Sequence, residues 1–573
     1  MVTYSIFIME PLFTYSPIIP PLIQEKLGQY SLILQQLLWQ RGIEDATTAE
    51  LFLHPDYDTE LYNPLLLHDI KFACTRIHKA IKNKEKVAIF SDYDCDGIPG
   101  AVILHDFFKI INFTNFQNYI PHRHFEGFGL SREAINKLAA DEVKLIITID
   151  CGTNDREAVV QANNLGIDLI ITDHHEPEIN LPQAVAMVNP KLGDYPFPHL
   201  CGAGVVYKVV QALIATGNYN IKVGQEKWWL DMVGIATIAD MVPLVGENRV
   251  LASYGLKVLR KSRRPGLQKL LTKARINQSF LTEEDVGFTI GPRINAASRM
   301  DDPEHAFLML TATDPGEASN HVEHLEKLNN ERKSAVAIMT KELHARLKQL
   351  EEIPNVLVLG NPLWRPALVG LAANKLAEEY SRPVFLWGRD GNNVIKGSCR
   401  SGGGVSVVRL METASAVFQE HGGHHMSGGF SINDEHIFSL STALNQAFCT
   451  LGSEALIPTI YEVDYALSLE DVFGEVRKDL LLLAPFGAGN QKPLFAFESV
   501  SPEEVLIFGK AREHLKLIFT TASGPLEAIA FFASPNSFHK EPSSGKSCTL
   551  LAHIEESFFM GRRQTRLRIV DIV

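Results

Sequence analysis

The chain has 573 residues, 46% of them apolar and 21% charged, which gives room for three or four domains and excludes a disordered polymer. A formal net charge of −13 argues against attraction of the whole molecule to nucleic acid, though not against a local basic groove. Seven scattered cysteines, an odd number with no CxxC spacing, exclude a disulfide framework and a zinc knuckle and fit a reducing cytoplasm.

The first stretch, Met1 to Leu22, is apolar but unlike a signal peptide. No Lys or Arg precedes Lys26, Glu10 interrupts it, and Pro11, Pro17, Pro20 and Pro21 break it. No apolar run approaches a membrane span, so no membrane contact is expected. Residues 1–70 read as an N-terminal helical arm, with one helix over Gln24–Arg41, packed on the catalytic domain.

Residues 71–315 read as the main α/β domain. Helix 69–82 precedes strand 86–90, and helix 98–109 precedes a short strand at Phe116–Ile120. Helix 131–140, capped by Ser131, precedes strand 143–149, and helix 154–165 precedes strand 167–171. This alternation, with near-continuous apolar strands, predicts a parallel sheet. Polar residues follow the strands: Ser91-Asp92-Tyr93-Asp94-Cys95-Asp96-Gly97, then Asp150-Cys151-Gly152, then Asp173-His174-His175-Glu176. Gly234–Ala239 reads as a further strand, ending at Asp240. Ligands gather at the carboxyl ends of parallel strands. Carboxylates and imidazoles meeting there supply the donors that two divalent metal ions need for phosphoester hydrolysis. A lone His-His pair, by contrast, is more often an ordinary solvated loop.

Other segments carry less. Pro121–Leu130 is polar and aromatic and either faces substrate or uses Gly127 and Gly129 only to shape a turn. Leu200–Lys208 is glycine-rich but is not GxGxxG, and reads as close packing at a helix start. Gly291–Met300 carries Arg293 and Arg299, whose forks suit phosphate oxygens, or surface salt bridges. A single helix over Glu317–Glu352 is predicted as the connector, residues 316–353.

Residues 354–454 alternate again and read as a smaller α/β domain. Ser398 and Arg400 lie in Gly397–Gly404, and His424 lies in the glycine-rich His421–Gly429; both compositions suit anions, or ligand-free hairpins. Residues 455–573 change to recurrent strands, a small OB-like β-barrel. Phe558, Phe559, Arg562, Arg563, Arg566 and Arg568 near one hairpin suit a single nucleic-acid strand, or a solvated basic turn.

Taken together, the motifs Ser91–Gly97, Ile149–Gly152, Asp173–His175 and Ala239–Leu244 resemble those of the DHH phosphoesterase superfamily. With Gly291–Met300, Gly397–Ser401, Gly422–His424, Pro485–Asn490 and the barrel, the chain is similar to the superfamily's bacterial single-strand-specific DNA exonucleases from about residue 50 onward. The resemblance implies that Asp94, Asp96, Asp150, His174 and Asp240 hold two Mn2+ or Mg2+ ions, with Asp150 between them. It implies that His175 faces the scissile phosphate or completes the metal shell. Arg293, Ser398, Arg400 and His424 would grip DNA phosphates, with Arg299 beside them. The implied activity is 5′-to-3′ degradation of single-stranded DNA to mononucleotides in repair and recombination. Implied partners are a single-strand-binding protein and a helicase, and a cytoplasmic monomer is expected. Asp92 is expected outside the metal shell, orienting a ligand. Departures from the family pattern are Ile98-Pro99, Ser298 and Met426-Ser427, none of which removes a ligand. Rival expectations are a smaller hydrolase of short oligonucleotides, which would lack the barrel, and a non-catalytic replication scaffold, which would lack metal ligands.

Overall fold

The computed structural model describes residues 13–452, 461–509, 512–559 and 562–573, and of 557–559 and 562–563 the backbone alone. The described residues divide into two units, one drawn from 61–242 and 246–457 and the other from 1–60, 243–245 and 458–573.

In the first unit, Val87–Ser91 (β1), Phe116–Tyr119 (β2), Leu145–Ile149 (β3), Asp168–Thr172 (β4) and Ala186–Val188 (β5) form a parallel sheet in the order β2-β1-β3-β4-β5. β1 and β3 are buried from end to end, which is why they read as unbroken apolar runs. Helix Gly97–Ile110 (α1) lies so close to the sheet that a Cβ on Gly100 would come within 2.6 Å of Ile149. Helices Arg132–Ala140 (α2) and Arg156–Asn164 (α3) bury Ile135, Leu138, Val159 and Ala162 in one core with Phe90, Ile146 and Leu169. The Ser131 hydroxyl accepts the Ala134 amide, capping α2 as its sequence predicts. The chain reverses its direction of travel across the sheet between β1 and β3. Open sheets of this winding bind ligands at that point, beyond the carboxyl ends of the strands.

Gly202–Thr216 (α4) and Leu230–Ala239 (α5) also pack here. α5 corrects the sequence reading, which makes Gly234–Ala239 a strand. Its residues from Leu230 to Thr237 are all buried, and a helix apolar on every side offers no periodicity to read. Gly234 meets Gly255 of helix Gly246–Leu259 backbone to backbone; a Cβ would lie 2.7 Å from the Gly255 Cα.

Gly291–Met300 (α6) and Glu304–Thr311 (α7) lead to the 33-residue helix Pro315–Leu347 (α8). Asp314 caps α8 by accepting the Gly316 and Glu317 amides at 2.9 and 2.8 Å, and Pro315 opens it. α8 packs on α6 and α7, and its last turns bury Met339, Leu343 and Leu347 in the core of the next sheet. That sheet joins Leu357–Gly360 (β6), Val384–Arg389 (β7), Ile395–Arg400 (β8), Glu420–His424 (β9) and Ser427–Ile432 (β10) in the order β9-β10-β8-β7-β6. Only β6 and β7 pair in parallel. Helix Pro366–Tyr380 (α9) covers one face of it.

The second unit is a seven-stranded, mainly antiparallel sheet built from Tyr465–Ala466 to Arg562–Ile572. The arm shares its core: Leu27, Leu34, Leu37 and Leu38 pack with Phe495, Phe497, Phe519 and Leu567. The sequence reading places the arm on the catalytic domain, and this shared core corrects it. Its partners lie over four hundred residues away, as when Arg41 Nε donates to Asn490 Oδ1 at 2.7 Å, and no local pattern encodes them. The single predicted helix over 24–41 is two, Pro21–Lys26 and Leu32–Trp39, because Ser31 caps the second by accepting the Leu34 amide. Among the described residues, no helix is long and apolar enough to cross a membrane.

Candidate active site

The carboxyl ends of β1, β3 and β4 converge with the end of α5. After β1, the Asp92 amide still donates to Ile149 O at 3.0 Å, so the chain leaves the sheet with Asp92 buried against β3. The following turn is held from inside and outside. Asp94 Oδ1 accepts the amides of Asp96 and Gly97 at 2.8 and 3.2 Å, and Asn295 Oδ1 of α6 accepts that of Cys95 at 2.9 Å. Gly97 is required, since a Cβ would stand 2.5 Å from Asp92 O.

Asp96 is fixed by the glycine-rich start of α4. Its two carboxylate oxygens accept the Gly202 and Ala203 amides at 2.5 and 2.7 Å. The segment that only resembles a phosphate loop therefore does bind an anion, and the anion is internal. The positive end of the helix suits that role.

Asp150 follows β3 with φ of +60°, a left-handed conformation that a short polar residue adopts at some cost. Gly202 makes room for it, because a Cβ there would fall 2.6 Å from the Asp150 Cβ. Asp150 Oδ1 and Asp92 Oδ1 are buried and have no hydrogen-bond donor. Such orphaned acceptors are costly unless something outside the chain meets them.

The end of β4 divides the labour. Asp173 is satisfied within the protein: its oxygens accept the amides of His174, His175 and Thr153 at 2.7, 3.2 and 3.0 Å, and Oδ1 lies 2.7 Å from His175 Nδ1. These bonds outweigh burial and hold its carboxyl well below the usual range. Burial alone would lower the His175 imidazole, but bonding to Asp173 overrides it and lifts the group to about 9. The His174 ring, unlike that of His175, is not bonded to Asp173 and faces the other carboxylates. Its Nε2 lies 3.1 Å from Asp150, 3.6 Å from Asp96 and 3.7 Å from Asp240. Burial lowers the His174 pKa, opposed by Asp96, which favours the neutral imidazole that binds metals.

The remaining carboxyls are pushed the other way. Burial and then Asp96 and Asp94 raise Asp240 to about 8. Burial, followed by neighbouring carboxylates, also raises Asp150 and Asp92 well above normal. Three sets of donor atoms each lie within 4.8 Å of one another: Asp92, Asp94 and Asp150; Asp96, His174 and Asp240; and Asp150, His174 and His175. Asp150 belongs to two of them. Oxygen-rich sets with one or two imidazoles, adjacent and sharing a carboxylate, fit a pair of divalent ions. The first set draws in Asp92, which the sequence reading leaves outside the shell. Its signal was a carboxylate directly after a fully buried strand.

The predicted phosphate-binding residues separate into groups. Arg400 Nη1 donates to Ser398 Oγ at 2.9 Å, and Gly370 of α9 sits against both side chains. Arg299 donates to Ala367 O, also in α9, at 2.5 Å. Burial, then Arg123 and Arg332, lowers Arg299 to about 10. Arg299, Ser398 and Arg400 thus gather about the start of α9. His424 stands exposed in the β9–β10 hairpin. Arg293 turns to α8 instead, pairing with Glu326 at 2.7 Å.

Loop 121–130 reaches the acidic centre. The Arg123 guanidinium lies 4.9 Å over the Tyr93 ring, and Phe128 meets the His175 ring edge-on at 5.4 Å. Gly127 and Gly129 have φ of +82° and +79°, so they shape the turn as well. The sequence reading singles out the loop of Arg123 and the segment of Asn295 but gives neither residue a role of its own. In the barrel, Arg566 and Arg568 pair with Glu555 at 3.3 and 3.0 Å. The side chains of Phe558, Phe559, Arg562 and Arg563 lie outside the described residues.

Comparison with known proteins gives a consistent picture. The sequence matches the DHH family, N-terminal domain, over residues 86–237, the DHHA1 domain over 354–449 and the RecJ OB domain over 463–571. It is 33% identical to the single-stranded-DNA-specific exonuclease RecJ of Bacillus subtilis over 94% of this chain and 67% of that one. It is 30% identical to the RecJ of Salmonella typhimurium over 94% of this chain and 95% of that one. The fold matches the crystal structure of RecJ in complex with Mn2+ from Thermus thermophilus with a TM-score of 0.79, at 25% identity, covering 98% of this chain and 79% of that chain.

Proposed function

The chain belongs to the RecJ family, and from that premise we propose that it is a metal-dependent, single-strand-specific DNA exonuclease acting in repair and recombination. The observation that carries the reading is the cluster of Asp92, Asp94, Asp96, Asp150, Asp240, His174 and His175, with buried carboxylate oxygens that no donor of the chain meets.

In this reading Asp92, Asp94 and Asp150 would hold one Mn2+ or Mg2+ ion, and Asp96, His174 and Asp240 the other, with Asp150, 3.1 Å from His174, placed to serve both. Bound there, the ions would supply a hydroxide near neutral pH and neutralise charge building on the phosphate. The residues do the rest. Asp173 fixes His175 by its Nδ1 and leaves Nε2 to face the scissile phosphate. The amides of Gly202 and Ala203 stop Asp96 from swinging away. Arg299, Ser398, Arg400 and His424 take phosphates further along the strand. The exposed rings of Phe125 and Phe128 offer faces to unpaired bases, which a duplex does not present.

Cleavage proceeds from the 5′ end and releases mononucleotides. A single-strand-binding protein and a helicase supply substrate, and the enzyme works as a cytoplasmic monomer. The test is a long single strand labelled at its 5′ end, incubated with Mn2+ and the enzyme or its Asp150→Ala variant. Immediate release of labelled mononucleotide by the native enzyme alone supports the reading. Label retained on shrinking fragments reverses the polarity, and equal cutting by the variant removes the proposed centre.

A further inference from the structure

A second set of metal-binding side chains lies outside the acidic centre, where α6, α7 and α8 meet. Asp301 directly follows α6, His305 is in the first turn of α7, and His321 and His324 sit three residues apart on one face of α8. Donor atoms of Asp301, His305 and His324 lie within 4.8 Å of one another. His324 Nε2 stands 3.2 Å from Asp301 Oδ2, and His305 Nδ1 stands 3.3 Å from His321 Nδ1. The His305 and His324 rings are only 4.0 Å apart, centre to centre.

These contacts are poor hydrogen bonds. His324 Nε2 is buried and has no hydrogen-bond partner, its approach to Asp301 being misdirected. Two ring nitrogens at 3.3 Å are long for a shared proton. The separations do match another geometry. With zinc–nitrogen bonds of 2.0–2.1 Å, neighbouring ligands of a tetrahedral ion stand about 3.3–3.4 Å apart.

We propose that Asp301, His305 and His324, with His321 beside His305 to swing in as the fourth ligand, form a binding site for one zinc-class divalent ion, separate from the catalytic centre. Its chemistry differs from that of the aspartate cluster. Three imidazoles and one carboxylate suit Zn2+, Co2+ or Ni2+, whereas the oxygen-rich cluster suits Mn2+ and Mg2+. The ion ties the end of α6 and the start of α7 to the connecting helix α8. Asp301 is exposed and the three histidines are half-buried, so the ion can enter from solvent without unfolding. The site acts as a clip on the helix leading to the second sheet, and its occupancy raises stability rather than turnover.

The test uses the full chain carrying Asp150→Ala and His174→Ala, which disables the catalytic centre, stripped of metal and titrated with Co2+. The expected result is one Co2+ per chain with the intense visible bands of four-coordinate cobalt, and a melting temperature several degrees higher with Zn2+. Adding His321→Gln and His324→Gln should abolish both. Asp301→Asn alone, a milder change, should weaken Co2+ binding at least tenfold. Absence of a tight site in the first variant, bands of six-coordinate cobalt only, or binding that survives the histidine changes overturns the proposal.

Discussion

Asp150 and Glu555 are both carboxylates at strands, 3% and 6% exposed, and they have opposite surroundings. Glu555 faces Arg566 and Arg568, and although burial opposes it, Arg568 in particular holds its carboxyl below the normal range. Asp150 faces Asp96, Asp94, Asp92 and the His174 imidazole, with one oxygen lacking any hydrogen-bond partner, and burial and the carboxylates drive its carboxyl up. A buried charge is tolerated only when paired. Glu555 carries its counter-charges within the chain; the Asp150 cluster leaves that role to ions. The first arrangement serves the fold and the second serves chemistry.

The largest expected effect separates these roles. Asp150→Asn should lower nuclease activity about a thousandfold or more, the scale of losing a main charge-stabilising group. Yet the metal-free variant should melt a few degrees higher than the metal-free native protein, since like-charge repulsion is relieved. Mn2+ should reverse that order, because binding stabilises the protein that holds the ions better. A metal-free variant that melts lower would show that Asp150 is not held against repulsion.

Next comes a fully buried pair within the catalytic unit itself. Lys208 and Glu247 are both 0% exposed and bonded to each other. Burial pushes the Lys208 pKa down, with Glu247 opposing. Glu247→Gln leaves that ammonium uncompensated and should cost about 3–5 kcal/mol in urea unfolding. A loss below 1 kcal/mol would show that this pair does not behave as a paired charge of the fold.

Glu555→Gln is the smaller counterpart in the barrel. Its arginines are partly exposed, so destabilisation of roughly 1–3 kcal/mol is expected, with kcat on a short single strand unchanged. A collapse of kcat instead would place Glu555 with the chemistry. Smallest is Arg299→Ala, expected to raise KM about tenfold at low salt, as befits one lost charge-assisted phosphate contact. Arg293→Ala, at the pair with Glu326, should change unfolding more than KM. The reverse ranking of the two arginines would reassign them.

Much of the centre was legible because β1, β3 and β4 are apolar runs that end abruptly in Asp92, Asp150 and Asp173. Their order in the sheet then forces those ends together. Asp240 was found through its motif while its element was misread, since α5 is apolar on every face. What lay beyond reach depends on distant partners. The grip of Gly202 and Ala203 on Asp96, that of Asn295 on Cys95, and the Arg293–Glu326 pair each join segments far apart in the chain. The arm's place beside the barrel is the same problem at the longest range. The split between Asp173, spent on His175, and Asp150, left open, is a matter of hydrogen bonds that no spacing reveals.

Asp150 should join the two ion positions. Electron paramagnetic resonance of the full chain titrated with Mn2+ tests it most directly. Two equivalents should give the spectrum of a spin-coupled manganese pair, and Asp150→Asn should leave only isolated Mn2+ signals. An uncoupled spectrum in the native protein, or a coupled pair that survives in the variant, would contradict it.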